Sequence, residues 1–301
     1  MLQNKTENKV TIITHNSNFH TDDIFAVATL LLVLKNEEVQ VIRSRDENII
    51  EKGDYVVDVG GIYAELKNRF DHHQEGGAGV RANTIPYASF GLVWKKFGEE
   101  LSGNREIAEK VDQILVQWID ASDNGMDLIE TKIPGIYPYD IGLFFNTFTP
   151  DFKEPEADLD SIFMELVVLA KRVLEREILK RKNLLEARSI IEKAYREAPD
   201  KRLIIFDTFY PSREFLSQFP EPLFTVFPQN DGHWAVKTIR NNGYSFVNRK
   251  SLPKEWAGKK DDELEMITGV RGAIFCHRAL FLAVAKTKEA ALKLAEIALN
   301  S

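Results

Sequence analysis

From Lys9 to Asp71 the chain alternates short β-branched runs with helical spacing, and this alternation restricts the possible folds more than any other feature. Lys9 to Thr14 reads as a strand, an Asn-containing turn follows, and Asp22 to Leu34 is apolar at the helical period. Val39 to Arg43 and Tyr55 to Val59 are further β-rich runs, the second closed by Gly60 and Gly61, and Arg69 to Asp71 is a candidate fourth. Strands interleaved with helices imply an α/β fold with a mainly parallel sheet. Helices are expected at Tyr87 to Phe97 and at Arg105 to Asp120, the second ending near the turn signal Asp123, Asn124, Gly125. Gln74 to Thr84, with its three glycines, reads as a mobile loop between strand and helix.

The pattern changes after Pro150. Leu159 to Ala198 is heavily charged, with Ile162, Leu166, Leu169 and Val173 spaced as the apolar stripe of one long amphipathic helix or two. Short β-rich runs then return at Leu203 to Phe206, Phe224 to Phe227, Trp234 to Ile239 and Ala273 to Cys276, and a last helix is expected from Lys288 to Leu299. The expected architecture is two α/β domains: an N-terminal one over residues 1–150, a helical connector over 151–199, and a smaller C-terminal one over 200–301.

A net charge of −7 argues against bulk binding of long nucleic acid by a basic coat. Met1 to Lys9 is polar and no apolar run approaches membrane-spanning length, so neither a signal peptide nor a membrane partner is expected and a cytoplasmic location is. The lone Cys276 excludes an internal disulfide and a thiolate metal site. It reads as a packed strand residue. Its neighbour His277 would point to the opposite face of a strand, which disfavours a nucleophilic pair.

Four of the six histidines, His15, His20, His72 and His73, lie in the first quarter of the chain beside Asp22, Asp23, Asp58 and Asp71. Each group falls just past a β-rich run. Ligands at the carboxyl ends of parallel strands converge in the crevice where open α/β sheets bind their ligands, and imidazole with carboxylate suits manganese, zinc or iron. Taken singly, Asp22 and Asp23 could be helix-start residues and Asp58 a turn former. Their joint placement points to a metal site, in which a residue that does not ligate, such as Asp71, would orient one that does.

These residues resemble the MYG1 family. The opening segment Thr14 to Asp22, then Val57 to Gly61 as Val-Asp-Val-Gly-Gly, then Phe70 to Gln74 with Phe for the family's Tyr, and then Asp123 to Gly125 match its pattern. The likeness resumes at His233 and Trp234, Phe246 with Arg249, Leu252 and Pro253, Trp256 with Gly258, Thr268 to Val270 and Phe275 to His277. MYG1 proteins are in turn similar to the DHH phosphoesterases, which include exonucleases, oligoribonucleases, cyclic-dinucleotide hydrolases and manganese-dependent pyrophosphatases. The resemblance therefore implies a DHH-like catalytic domain over residues 1–150, a substrate-binding domain over 200–301, and hydrolysis of phosphodiesters with two divalent ions.

By that resemblance His15, His20 and Asp58 would hold one metal and Asp22, Asp58, His72 and Asp123 the other, with Asp58 shared. Asp58, His72 and His73 would be catalytic, His73 touching the scissile phosphate. Asp71 and Asp120 would stand behind the ligands, Asp120 also being the rival of Asp123 for the last ligand position. His20 stands where the wider superfamily has an aspartate. Manganese is the expected ion, with magnesium, zinc and iron as alternatives. The implied activity is 3′ to 5′ exonuclease action on RNA or short oligonucleotides. The alternatives are hydrolysis of a small phosphate compound, such as a dinucleotide or pyrophosphate, and a non-catalytic metal- or nucleotide-binding module.

In the superfamily a glycine-rich loop near the C-terminus holds the substrate. The matching stretch here is Phe281 to Lys286, where Ala283, Val284 and Ala285 replace the glycines and histidine. Substrate contact is therefore expected to pass to Arg249, His277 and Arg278. His233 is explained by a turn at Asn230 to Gly232, the aromatic run Phe144, Phe145, Phe148 and Phe152 by core packing, and the cations of the connector from Lys171 to Lys182 by a solvated face.

Overall fold

In the computed structural model β1 (Val10–Thr14) lies between β2 (Val39–Arg43) and β3 (Tyr55–Val57), parallel to both. Residues 9–242 and 246–301 are described, so the polar N-terminal segment, Lys9 apart, lies outside them. β5 (Arg69–Phe70) runs parallel to β3, and β4 (Tyr63–Ala64) closes the edge antiparallel to β5, giving the order β2-β1-β3-β5-β4. The expected parallel sheet is present, with the third and fourth β-rich runs shorter than their sequence patterns. Both runs stop where an expected site residue begins: Asp58 follows β3 in a left-handed conformation, φ 55°, and Asp71 follows β5.

Nine consecutive residues of α1 (Thr21–Val33), from Asp22 to Leu30, are buried. That is the signature of a helix enclosed on every side. After the short α2 (Glu47–Ile50), three further elements cover this core: α3 (Ser89–Ser102), α4 (Arg105–Val111) and α5 (Gln117–Asp123). The helix expected from Arg105 to Asp120 is continuous through α5 but contains a π-helical turn at Asp112–Val116. Such turns recur near functional sites because they re-aim the side chains that follow. At Gly91 of α3 an added Cβ would stand 1.8 Å from Asp120 Oδ2, so glycine there permits the close approach of α3 and α5. α6 (Ile141–Asn146) adds Phe145, whose ring lies 5.4 Å from that of Phe25.

The chain divides into two compact units, Met1–Lys182 and Asn183–Ser301, the division falling inside α7 (Leu159–Glu197). Early α7 residues Phe163, Leu166, Val167, Ala170 and Leu174 join the first unit's core, whereas Ala187 and Ile191 join a cluster of the second. A single helix thus serves the span where one or two were expected.

The second unit has its own five-stranded sheet, ordered β6-β7-β8-β10-β9. β6 (Leu203–Ile205) pairs parallel with β7 (Phe224–Pro228), while β8 (Trp234–Thr238), β9 (Ala273–Cys276) and β10 (Leu282–Ala285) pair antiparallel. α8 (Arg213–Leu216), α9 (Asp261–Thr268) and α10 (Lys288–Asn300) complete the unit. The stretch matched to the superfamily's loop, Phe281 to Lys286, contains β10, hydrogen-bonded between β8 and β9, with Ala283 and Ala285 wholly buried among α10 residues Ala291 and Leu294. Small side chains at these positions allow helix and sheet to pack closely. No helix among the described residues is long and apolar enough to cross a membrane.

Candidate metal centre

Three strand ends and two helix ends bring the sequence clusters together. His15 follows β1, Asp58 follows β3 and His72 follows β5, while Asp22 and Asp23 open α1 and Asp123 closes α5. Asp58 lies at the centre. Its Oδ2 is 3.2 Å from His15 Nε2, and its Oδ1 is 3.4 Å from His72 Nε2 and 3.5 Å from His73 Nδ1. The Ser89 hydroxyl donates to Asp58 Oδ1 at 3.2 Å. Positive φ at a non-glycine residue costs free energy that the surrounding contacts must offset, and such residues gather at functional sites.

Three sets of atoms each converge within 4.8 Å: those of His15, His20 and Asp58; of Asp58, His72 and His73; and of Asp22, His72 and Asp123. Whether a cation suits this place can be tested on the polar atoms themselves. His15 Nε2, Asp23 Oδ2, Asp58 Oδ2 and His72 Nε2 are all buried without a hydrogen-bond partner, although carboxylate and imidazole stand close by. A buried polar atom left unmatched is costly, and several aimed at one another are a set that a cation would satisfy. The residues fit divalent ions.

The second nitrogens show which ring atoms are free. His15 Nδ1 is 3.1 Å from the carbonyl of Asn16, a contact in which an Nδ1–H donates and leaves the Nε2 lone pair aimed at Asp58. His73 Nδ1 is 2.7 Å from Asp71 Oδ1, and Asp71 also accepts from the backbone amides of His73 and Gly61. Asp71 thereby orients His73, whose side chain is 60% exposed. His20 is exposed, its ring 5.3 Å from that of His15.

Asp22 has a structural duty as well. Its two oxygens accept from the amides of Ser89 and Phe90, capping α3, whose own N-cap residue Ala88 has no side-chain oxygen to offer. Burial, then the fields of Asp123, Asp58 and Asp120, push its carboxyl well above the usual range. Asp23 is raised to about 7, first by burial, against the opposing field of His15. Asp58 is held far below the ordinary carboxylate range: burial would raise it, but the close imidazoles of His15 and His72 outweigh that effect. Burial would lower His72, yet its partners Asp123, at 3.1 Å, and Asp58 raise it to about 11.

Asp120 and Asp123 separate clearly. Asp123 faces His72, whereas Asp120 accepts from the Gly91 amide and pairs with Arg81 at 2.6 Å. Arg81 also pairs with Asp112 at the start of the π-helical turn and lies over the Tyr87 ring, 4.1 Å from its centroid. Sequence reading assigned no role to Arg81, to Ser89 or to the contact of Asp23 with His15. Asp23, three residues after His20 and accepting from its amide at 2.9 Å, carried a local signal. Arg81 carried none, because its partners are far along the chain.

In the second unit, Arg249 donates to the carbonyls of Ser217, Phe219 and Pro222, so its guanidinium fastens a loop. His277 Nδ1 accepts from the Ala279 amide, and its ring lies 4.3 Å from that of Phe281, tilted by 44°. Arg278 is exposed. His233 is tied to Asp231 in a local turn. Cys276 is buried. Of the aromatic run only Phe145 is core; Phe144, Phe148 and Phe152 are exposed, since α6 is too short to turn more than one of them inward. On α7, Lys180 and Arg181 pair with Glu177.

Such a fold and site define an α/β protein whose parallel strands carry at their carboxyl ends a ligand set compatible with divalent cations. The chain belongs to the MYG1 family: the MYG1 exonuclease family model, described as an uncharacterised protein family (UPF0160), matches residues 11–299. The MYG1 protein of Dictyostelium discoideum is 32% identical over 97% of each chain. The human MYG1 exonuclease is 27% identical over 95% of this chain and 85% of that one. A solved RecJ in complex with Mn2+ from Thermus thermophilus is matched with a TM-score of 0.31 and 14% identity, over 97% of this chain and 52% of that one. That likeness is too weak to inform the fold.

Proposed function

We propose that this protein is a metal-dependent phosphodiesterase that removes nucleotides from RNA or short oligonucleotides in the 3′ to 5′ direction, acting in the cytoplasm. The observation that carries the proposal is the set of partnerless buried atoms around Asp58, drawn from His15, Asp23, Asp58 and His72. The exonuclease names of mammalian relatives favour a nucleic-acid substrate over other phosphodiesters. His15, His20 and Asp58 would hold one cation, and Asp22, Asp58, His72 and Asp123 the other, with manganese preferred. Bound there, a pair of divalent ions supplies an activated water and neutralises charge developing on the phosphate.

The chain's own groups supply the rest. Asp58, kept ionised by its histidine contacts, is shared by both ligand sets. Asp71 holds the His73 ring with Nδ1 engaged, and the other ring nitrogen of this exposed side chain would donate to a phosphate oxygen. Ser89 steadies Asp58, and Asp22 joins the site to the start of α3. Incubation with manganese and end-labelled RNA tests the reading. Stepwise release of mononucleotides from the 3′ end is the expected result; intact RNA under every divalent ion tried, beside a cleaved dinucleotide or pyrophosphate, would replace it with the small-substrate alternative.

A further inference from the structure

A cavity of about 330 Å³ opens directly beside the metal-ligand cluster, within the first unit, and shares His20, Asp22 and Asp123 with it. Its volume lies at the lower end of the roughly 300 to 1,000 Å³ of small-molecule sites. The rest of the lining comes from Phe19 in the loop before α1, from the start of α1, from α5 and from α6, and it is of two kinds. Trp118, Phe145 and Ile141 give aromatic and aliphatic walls, while Thr21, Ser122 and Asn146 give hydroxyl and amide groups. Among the described residues the lining contains no lysine or arginine.

The absence of lysine and arginine from the lining separates the candidate occupants. Away from the cations that His20, Asp22 and Asp123 would help to hold, a second phosphate of a pyrophosphate, or the next phosphate of a polymer, would meet no basic side chain in the lining. A neutral, flat, partly apolar group requires none, and it gains from an aromatic wall and a few hydrogen-bonding groups. Asn146 offers a donor and an acceptor together, as a base edge demands. The Trp118 indole is fixed by its Nε1–H donating to Asp140 at 3.2 Å, and Asp140 also caps α6 through the Leu143 amide. A planar wall held in this way needs little ordering when a ligand arrives.

From this geometry we infer that the cavity receives the base and sugar of the terminal nucleotide, next to the ligand cluster that would hold its phosphate. The inference rests on the nuclease reading and specifies its substrate class: a nucleoside monophosphate unit rather than a compound built only of phosphates. Gly142, on α6, keeps the space open. A Cβ there would lie 3.3 Å from Asp140 Oδ1, 3.8 Å from Ser122 Oγ and 4.0 Å from Thr21 Oγ1, so a larger side chain would enter the gap between the two hydroxyls.

Titration calorimetry of the manganese-loaded protein with uridine 5′-monophosphate, and separately with inorganic phosphate, tests the assignment. The nucleotide is expected to bind at least tenfold more tightly than phosphate. Gly142→Val should remove that preference while leaving phosphate affinity and Tm unchanged, and Asn146→Ala should weaken the nucleotide severalfold and phosphate not at all. If Gly142→Val does not fold, Asn146→Ala decides. Equal affinities in the wild type, or variants that weaken both ligands alike or neither, overturn the assignment. Oligonucleotide hydrolysis is scored independently. Preference without hydrolysis removes the nuclease reading and keeps the cavity assignment, whereas hydrolysis without preference does the reverse.

Discussion

Asp58→Asn isolates the charge at the centre of the site. Asparagine keeps the shape of the side chain, is among the residues best tolerated at positive φ, and retains an oxygen to accept from Ser89. The backbone should therefore hold its φ of 55°. Between a carboxylate and an imidazolium at the observed 3.2 Å, the Coulomb energy is about 5 kcal/mol at an effective dielectric of about 20. A divalent ion at a similar separation would double that attraction. Desolvation of a buried carboxylate offsets most of this gain, and substitutions one shell further from a metal already cost about 10- to 100-fold in affinity. A loss of at least ~100-fold for each cation, about 2.8 kcal/mol, is the expected net result. Calorimetric titration with manganese measures it, and circular dichroism together with Tm in the presence of chelator shows whether the metal-free fold survives. Two manganese ions bound within threefold of wild-type affinity would refute the idea that Asp58 is shared between two ligand sets.

Further outcomes follow from other contacts. Arg81→Ala leaves Asp120 buried without its cation and should cost about 3 to 5 kcal/mol in urea denaturation, of which Asp120→Asn in the same chain should recover a large part; additive losses would show that the pair is not coupled. Arg249→Ala removes donors to three backbone carbonyls and should cost about 2 to 4 kcal/mol of stability while leaving KM for RNA unchanged, because the guanidinium is committed to its own loop. A raised KM at full stability would restore Arg249 to the substrate. Burial pushes the Cys276 thiol up to about 12, so it stays protonated and should resist a disulfide reagent at pH 8 in the folded protein yet react fully in denaturant; rapid native labelling would contradict the packed-strand assignment.

Much of the first unit could be read from local pattern, because parallel strands and a buried helix leave strong periodic signals in β-branched and apolar residues. The histidine and aspartate clusters were visible for the same reason: they sit at strand ends, where the pattern breaks. β4 and β10 were not visible. β4 has two residues, too few for a period, and β10 reads as a small-residue stretch that gains its strand character only from hydrogen bonds on both sides. The π-helical turn at Asp112–Val116 is equally silent, since its residues keep an ordinary helical pattern.

The sequence alone determined the α/β class, the order of the principal elements and the residue types gathered at the ends of the first unit's strands, all of which depend on interactions between near neighbours. Only the tertiary structure decided which side chain meets which. It turned Asp123 toward His72 and Asp120 toward Arg81, gave Asp22 a second duty as the cap of α3, bound Asp71 to His73, and committed Arg249 to backbone carbonyls. Asp120 and Asp123 lie one helical turn apart and look alike in sequence. The direction each carboxylate faces is set by Arg81 and His72, residues distant along the chain, and no local pattern records that choice.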